Sequence, residues 1–240
     1  MFPLVLSAAL ALVHLVAGKL RFMDGTPRSR ALSAAGGISV AYVFAHLLPE
    51  VAAGQEALAE AGLQGGALEG AHTWLLALLG LVVFYGLERA ALTSREENAE
   101  GGDHTEPGVF WLHMASYGSY NVLVGYLLAA DPADAAPTAR LAFWGAMALH
   151  FLVNDYGLRN HHKTRYSRVG RYVLAAAVVG GTGLGLATTV PESVIAGLVA
   201  FLAGSVVLNV LKEELPDERE SRFWPFAAGA FGFAALLAAV

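Results

Sequence analysis

LAFWGAMALHFLVNDYGLRNHHKTRYSRVGR, residues 141–171, decides the fold class. Its first half is apolar enough to lie in a bilayer. Its second half carries five cations: Arg159, Lys163, Arg165, Arg168 and Arg171. The same alternation runs along the whole chain. Eight apolar stretches, at about 2–18, 31–48, 73–87, 109–130, 141–156, 172–190, 193–211 and 224–240, read as membrane spans. A spanning helix needs about 20 apolar residues, and the shorter stretches borrow flanking positions. Fourteen of the 15 Lys and Arg fall in the first, third, fifth and seventh gaps, and Arg140 is the exception. Cations in short loops mark the cytoplasmic side. The odd gaps are therefore expected to be cytoplasmic, both termini to lie on the other side, and the protein to sit in the cell's inner membrane.

Composition agrees. Hydrophobic residues make up 56% and mean hydropathy is +0.53. The expectation is an all-α integral membrane bundle of eight transmembrane helices, a single domain over residues 1–240, with no room for a soluble domain of ordinary size. The net charge of −5 is segregated by side and says little about partners. No basic face interleaved with aromatics is present, so nucleic-acid binding has no support. The absence of cysteine removes disulfides and thiolate metal sites. The first stretch has no basic residue before Lys19, so it reads as a retained span instead of a secretory signal.

The second gap, 49–72, holds four Glu and reads as a non-cytoplasmic loop with one short helix near 52–61. The run 95–106 reads as a flexible acidic loop. In it His104, with Asp103 and Glu106, is too little for a metal site. The sixth gap is little more than Pro191 and Glu192, which makes a tight hairpin. One internal similarity stands out. His46-Leu47-Leu48-Pro49-Glu50 ends the second span, and Glu213-Glu214-Leu215-Pro216-Asp217 ends the seventh. Aligning Pro49 with Pro216 also aligns Gly37 with Gly204. Similar sequence in opposite orientation is the mark of inverted repeats, and chance likeness of two proline-capped ends is the competing explanation.

Ionisable groups at membrane depth face protein or a water-filled cavity. In the fourth span His113, Ser116, Tyr117, Tyr120 and Asn121 share one helical face. In the fifth, His150 and Asn154 are four apart and Asp155 is adjacent. At about 1.5 Å rise per residue, His150 lies about 14 Å into the core, level with Tyr117 and Tyr120. Nitrogen and oxygen donors of this kind suit Zn, Mn or Fe(II). Plainer readings stand beside this. Asp155 and Arg159 have the acid-before-base spacing of a structural ion pair. Tyr117 and Tyr120 are able to serve as hydrogen bonds across the bundle, and His113 lies near the interface. His14 reads as a helix-packing hydrogen-bonder, Asn209 as interhelical glue, and His161 and His162 as members of a basic loop. His46 and Glu50 form either an outer cation site or a wetted helix end.

The motifs resemble the ZIP family of divalent-metal transporters. ISVAYVFAHLLPE, residues 38–50, looks like that family's second helix, and AFLAGSVVLNVLKEELPDE, 200–218, like its seventh. AMALHFLVNDYGL, 146–158, falls where the family has a fifth-helix motif of His-Glu-x-Pro-His-Glu type. The resemblance implies a ZIP-like permease with inverted repeats, taking a divalent cation inward through a midplane site between the fourth and fifth helices. His150 and Asp155 would be the retained ligands, and Asn154, His113 and Tyr117 secondary ones. The departure lies at the chemistry. Ser116, Tyr117, Tyr120 and Asn121 stand where the family has His, Asn, an acid and Gly.

A permease, not an enzyme, is the leading expectation, with metal as cargo and no resident cofactor. One alternative is a ZIP-fold protein that has lost transport and acts as a structural or regulatory partner. A second is a zinc-dependent intramembrane hydrolase using His113, His150 and Asp155. The lipid bilayer is the expected surroundings, and Gly- and Ala-rich helices permit close packing within the chain or in a homo-oligomer.

Overall fold

The structure is a computed structural model that describes residues 2–18, 29–62, 70–97, 107–130, 137–214 and 222–239. Lys19, Arg21, Arg28, His104 and the Leu215-Pro216-Asp217 ending lie outside the described residues. Within them the chain is helical, with no strand. The helices are α1 (Phe2–Ala17), α2 (Arg30–Glu60), α3 (His72–Glu97), α4 (Pro107–Ala130), α5 (Pro137–Arg165), α6 (Tyr166–Gly170 continuing as Arg171–Ala187), α7 (Glu192–Glu214) and α8 (Phe223–Ala238). Each expected span falls on one of them. Three helical segments are long and apolar enough to cross a bilayer: Arg30–Glu60, His72–Ser94, and His161–Ala187, which runs from the end of α5 through α6. Shorter apolar helices are Phe2–Ala17, Glu192–Leu208 and Phe223–Ala238.

Two expected loops are helical. The short helix foreseen near 52–61 is the continuation of α2. Pro49 has no N–H to donate, and the turn before it widens so that Leu48 N–H reaches the Val43 carbonyl. The helix survives the proline by this π turn, Val43–Leu47. The basic fifth gap is helical on both sides of Lys163. The direction change comes at Lys163, with φ 42° and ψ −115°. A π turn, Tyr166–Gly170, then opens α6. Gly170 is needed there, since a Cβ would meet the Tyr166 ring at 2.6 Å.

The surface is apolar and the interior is partly polar. Trp74, Leu78, Leu79, Val82 and Tyr85 of α3 are exposed, as are Phe223, Trp224 and Phe231 of α8. Buried groups include His14, His113, Asn121, His150, Asn154, Asp155 and His162. That inversion suits a surrounding hydrocarbon, where polar groups find partners only inside the protein.

Three helix pairs carry most of the packing: α4 with α6, α2 with α8, and α3 with α7. Each pair uses the same device. At Gly37 an added Cβ would strike the Phe226 carbonyl and come within 2.9 Å of Ala230 N. At Gly204 it would strike the Ala77 carbonyl and come within 2.7 Å of Leu81 N. At Gly125 it would strike the Val178 carbonyl and come within 2.9 Å of Thr182 N. The struck atoms lie three before and one after a facing glycine, which is Gly229, Gly80 or Gly181. A Cβ on each of those glycines would strike the carbonyl three before its partner: Ala34, Phe201 or Val122. Small residues let backbones touch where lipid offers no hydrophobic drive. Gly37 and Gly204, aligned in the sequence by Pro49 and Pro216, thus occupy equivalent contacts. The α2–α8 contact corresponds to the α7–α3 contact.

Candidate functional site

The fourth, fifth and sixth helices meet α1, and the polar residues divide into three groups. The central group is built on Asp155. Its carboxylate lies 2.9 and 3.0 Å from His14 Nδ1 and accepts the Tyr166 hydroxyl. His14 Nε2 is 2.7 Å from Asn121 Oδ1, and Asn121 Nδ2 donates to the Tyr117 carbonyl at 2.7 Å. The His14 ring stacks on Phe151 at 4.6 Å. His14, Asn121 and Asp155 are each 1% exposed. Four helices therefore contribute to one continuous hydrogen-bonded chain.

His150 belongs to the second group. Asn154 Nδ2 lies 3.0 Å from its Nε2, and the Tyr120 ring meets it edge-on at 5.5 Å. The Tyr120 hydroxyl donates to Met147 Sδ at 3.3 Å. Beside it, a cavity of about 30 Å³ opens between α2, α4, α5 and α7, lined among others by Glu50, Tyr42, Tyr120 and Met147. His46 and Glu50 form a partly exposed pair at 3.7 Å about the middle of α2, beside its π turn.

The third group lies at the far end of α4. His113 Nδ1 is 2.8 Å from His162 Nε2, and its Nε2 donates to the Leu87 carbonyl at 3.2 Å. Next to it His161 meets Glu88 at 3.0 Å.

Several expectations need correction. His150 and Asp155 do not share a site, because the Asp155 carboxylate turns to α1 and α6. The two residues are five apart, so they leave a helix about 140° from one another. Arg159, the expected partner of Asp155, donates instead to the Gly18 carbonyl at 3.2 Å. Asn154 holds the His150 ring and does not stand as an independent ligand. His113 is buried and turns to His162, which itself is buried in a helix and not solvated in a loop. Tyr117 packs its ring on Phe84 and His113 and gives Asn121 its carbonyl. Ser116 bonds back to Leu112 on its own helix. Among the described residues no three His, Asp or Glu side chains are gathered as a metal centre. The trio His113, His150 and Asp155 therefore does not form the three-ligand set that a catalytic zinc requires.

His14 is the interhelical hydrogen-bonder that the sequence suggests, whereas nothing in the sequence singles out Tyr166. The signal for His14 is that it is the single ionisable residue inside the first span. No family model, no curated protein and no solved structure matches the chain. The ZIP resemblance rests on the sequence motifs alone.

Proposed function

We infer that the chain is an eight-span, ZIP-like membrane permease for a divalent metal cation. The reciprocal glycine contacts support the inverted repeat, and the apolar exterior supports membrane insertion. One observation carries the permease reading. The cavity of about 30 Å³ has Glu50 at its margin and Tyr120 in its wall, and the Tyr120 ring rests on His150. It has room for a few water-sized bodies at most. A cation there meets the Glu50 carboxylate and the side of the cavity formed by Tyr42 and Tyr120, with His150 on the other side of the Tyr120 ring. Glu50 gathers the cation from the outer side, and His150 receives it by displacing the Asn154 amide.

Zinc uptake into proteoliposomes tests this. Uptake that falls in both Glu50→Gln and His150→Ala supports it. Wild-type protein that takes up no zinc, manganese or iron refutes it. A specific observation favours the second reading, a membrane protein without metal transport. The carboxylate that would hold the metal is already matched by His14 and Tyr166. Purified protein that binds none of the three metals would establish that reading instead.

A further inference from the structure

A second cavity, of about 570 Å³, lies between the α3–α7 and α4–α6 pairs. Val83, Leu184 and Leu198 at its rim belong to the exposed apolar surface. It therefore opens where the membrane reading puts hydrocarbon. Ala115, Ser116, Ser119, Val122, Leu123 and Tyr126 of α4 line it. Positions 115, 119, 122 and 126 follow one stripe of a helix, so the cavity is a groove along α4. At about 1.5 Å per residue the stripe is about 16 Å long. The hydrocarbon core is about 30 Å thick, so the groove is one leaflet deep. One end lies at the turn between α6 and α7, where the Val190 N–H donates to the Tyr126 hydroxyl at 2.9 Å. Phe84 and Phe201 close the other end, their rings edge-on at 6.5 Å. Phe84 also meets Tyr117 edge-on at 5.7 Å, which sets it at the Ser116 end of the stripe.

The lining selects the occupant. Among the described residues that form it, none is charged. Its two serines turn their hydroxyls back to their own helix, Ser116 to the Leu112 carbonyl at 3.0 Å and Ser119 to the Ala115 carbonyl at 2.8 Å. A polar ligand finds no donor there that is not already engaged. The lining also lacks the device by which this protein joins its helices. The α2–α8, α3–α7 and α4–α6 pairs close on reciprocal glycines, whereas the described lining holds no glycine and is bulky at Leu123, Tyr126, Leu184, Ile195 and Leu198. A rigid helix of a second copy needs small residues to come close. A flexible chain follows uneven walls. We propose that the groove holds one acyl chain of a bilayer phospholipid, entering from the leaflet at the α6–α7 turn and ending against Phe84. The site rests on the membrane reading above and not on metal transport. Left empty, the walls lack partner atoms on one side. The chain supplies them and completes the packing between the two helix pairs.

Photolabelling from within the bilayer tests this. Full-length protein is reconstituted with a phosphatidylcholine that carries a diazirine at the end of one acyl chain. The liposomes are floated and illuminated, and labelled peptides are read by mass spectrometry. Ser116 and Ser119 are expected to carry several-fold more label than Val82 and Tyr85, which flank Phe84 on α3 and are exposed outside the groove. A diazirine placed near the ester should move the label toward Tyr126 and Val190. Ser119→Trp fills the groove and breaks no interhelical hydrogen bond; in it the groove label falls to the level of Val82. Ser116→Trp, nearer the closed end, is the second variant, and circular dichroism checks that each keeps its helix. Equal label at Ser116, Ser119, Val82 and Tyr85 overturns the site, because lipid then only passes over the surface. Label unchanged in either folded tryptophan variant overturns it too. Groove residues labelled less than Val82 overturn it in favour of a second copy covering the groove. Protein that does not float with the liposomes refutes the membrane reading and the groove with it. Groove label in protein that takes up no metal supports the site and counts against transport alone.

Discussion

Replacing His14 by phenylalanine keeps a ring to stack on Phe151 and removes both nitrogens. The loss is therefore polar and not a cavity. Asp155 keeps Tyr166 as a partner but loses the donor 2.9 Å away, and Asn121 Oδ1 loses its donor at 2.7 Å. Interhelical hydrogen bonds in membrane proteins average only about 0.6 kcal/mol. Breaking a buried charged pair by removing one partner costs about 3–5 kcal/mol, because the remaining charge is stranded. Both side chains are at most 1% exposed, so the second figure governs, tempered by the bond from Tyr166. His14→Phe is expected to destabilise by about 3 kcal/mol, and Asp155→Leu by a similar amount. The double variant strands no charge, so its cost should fall below the sum by about 2 kcal/mol. Reversible unfolding of the purified protein in mixed micelles provides the cycle. Costs that add to within about 0.5 kcal/mol would refute the contact between α1 and α5.

Three further outcomes follow from the packing and from the Glu50 cavity. Gly181→Ala, whose methyl would strike the Val122 carbonyl, should cost about 2–3 kcal/mol in the same assay; Gly180→Ala, with nothing within 4 Å, should be neutral or gain up to about 1 kcal/mol. Equal effects would mean that α6 is rotated. Glu50→Gln should raise the zinc concentration for half-maximal uptake while leaving the melting temperature unchanged, because the Glu50 side chain is 44% exposed; a lowered melting temperature would make it a structural residue. His113→Phe, which removes bonds to His162 and to the Leu87 carbonyl, should cost about 1–2 kcal/mol by thermal unfolding, and adding His162→Phe should cost less than the two singly; additivity would place the rings apart.

Much of the site's cast was legible as a list. Polar residues within apolar stretches must be buried against protein, and His150, Asn154, Asp155, His113 and Asn121 are. Their division into three groups was not legible. Depth places His150 level with Tyr120, and they do touch, but depth does not say which way Asp155 turns. Helical spacing made Arg159 the local candidate for Asp155. A residue 141 positions away took the place, because α1 lies against α5 and brings its one ionisable side chain to that depth.

Hydropathy determined the helical class and the positions of the apolar helices, since these depend on local composition and on the cost of burying charge. The motif alignment paired Gly37 with Gly204, and the structure shows each in a close helix contact, where a backbone approach admits only the smallest residue. Only the tertiary structure decided that the acid of the fifth helix is matched by a histidine of the first and a tyrosine at the start of the sixth. The physical reason is that a helix turns its side chains by a known angle per residue, whereas the neighbour each one meets is chosen by the packing of the whole bundle.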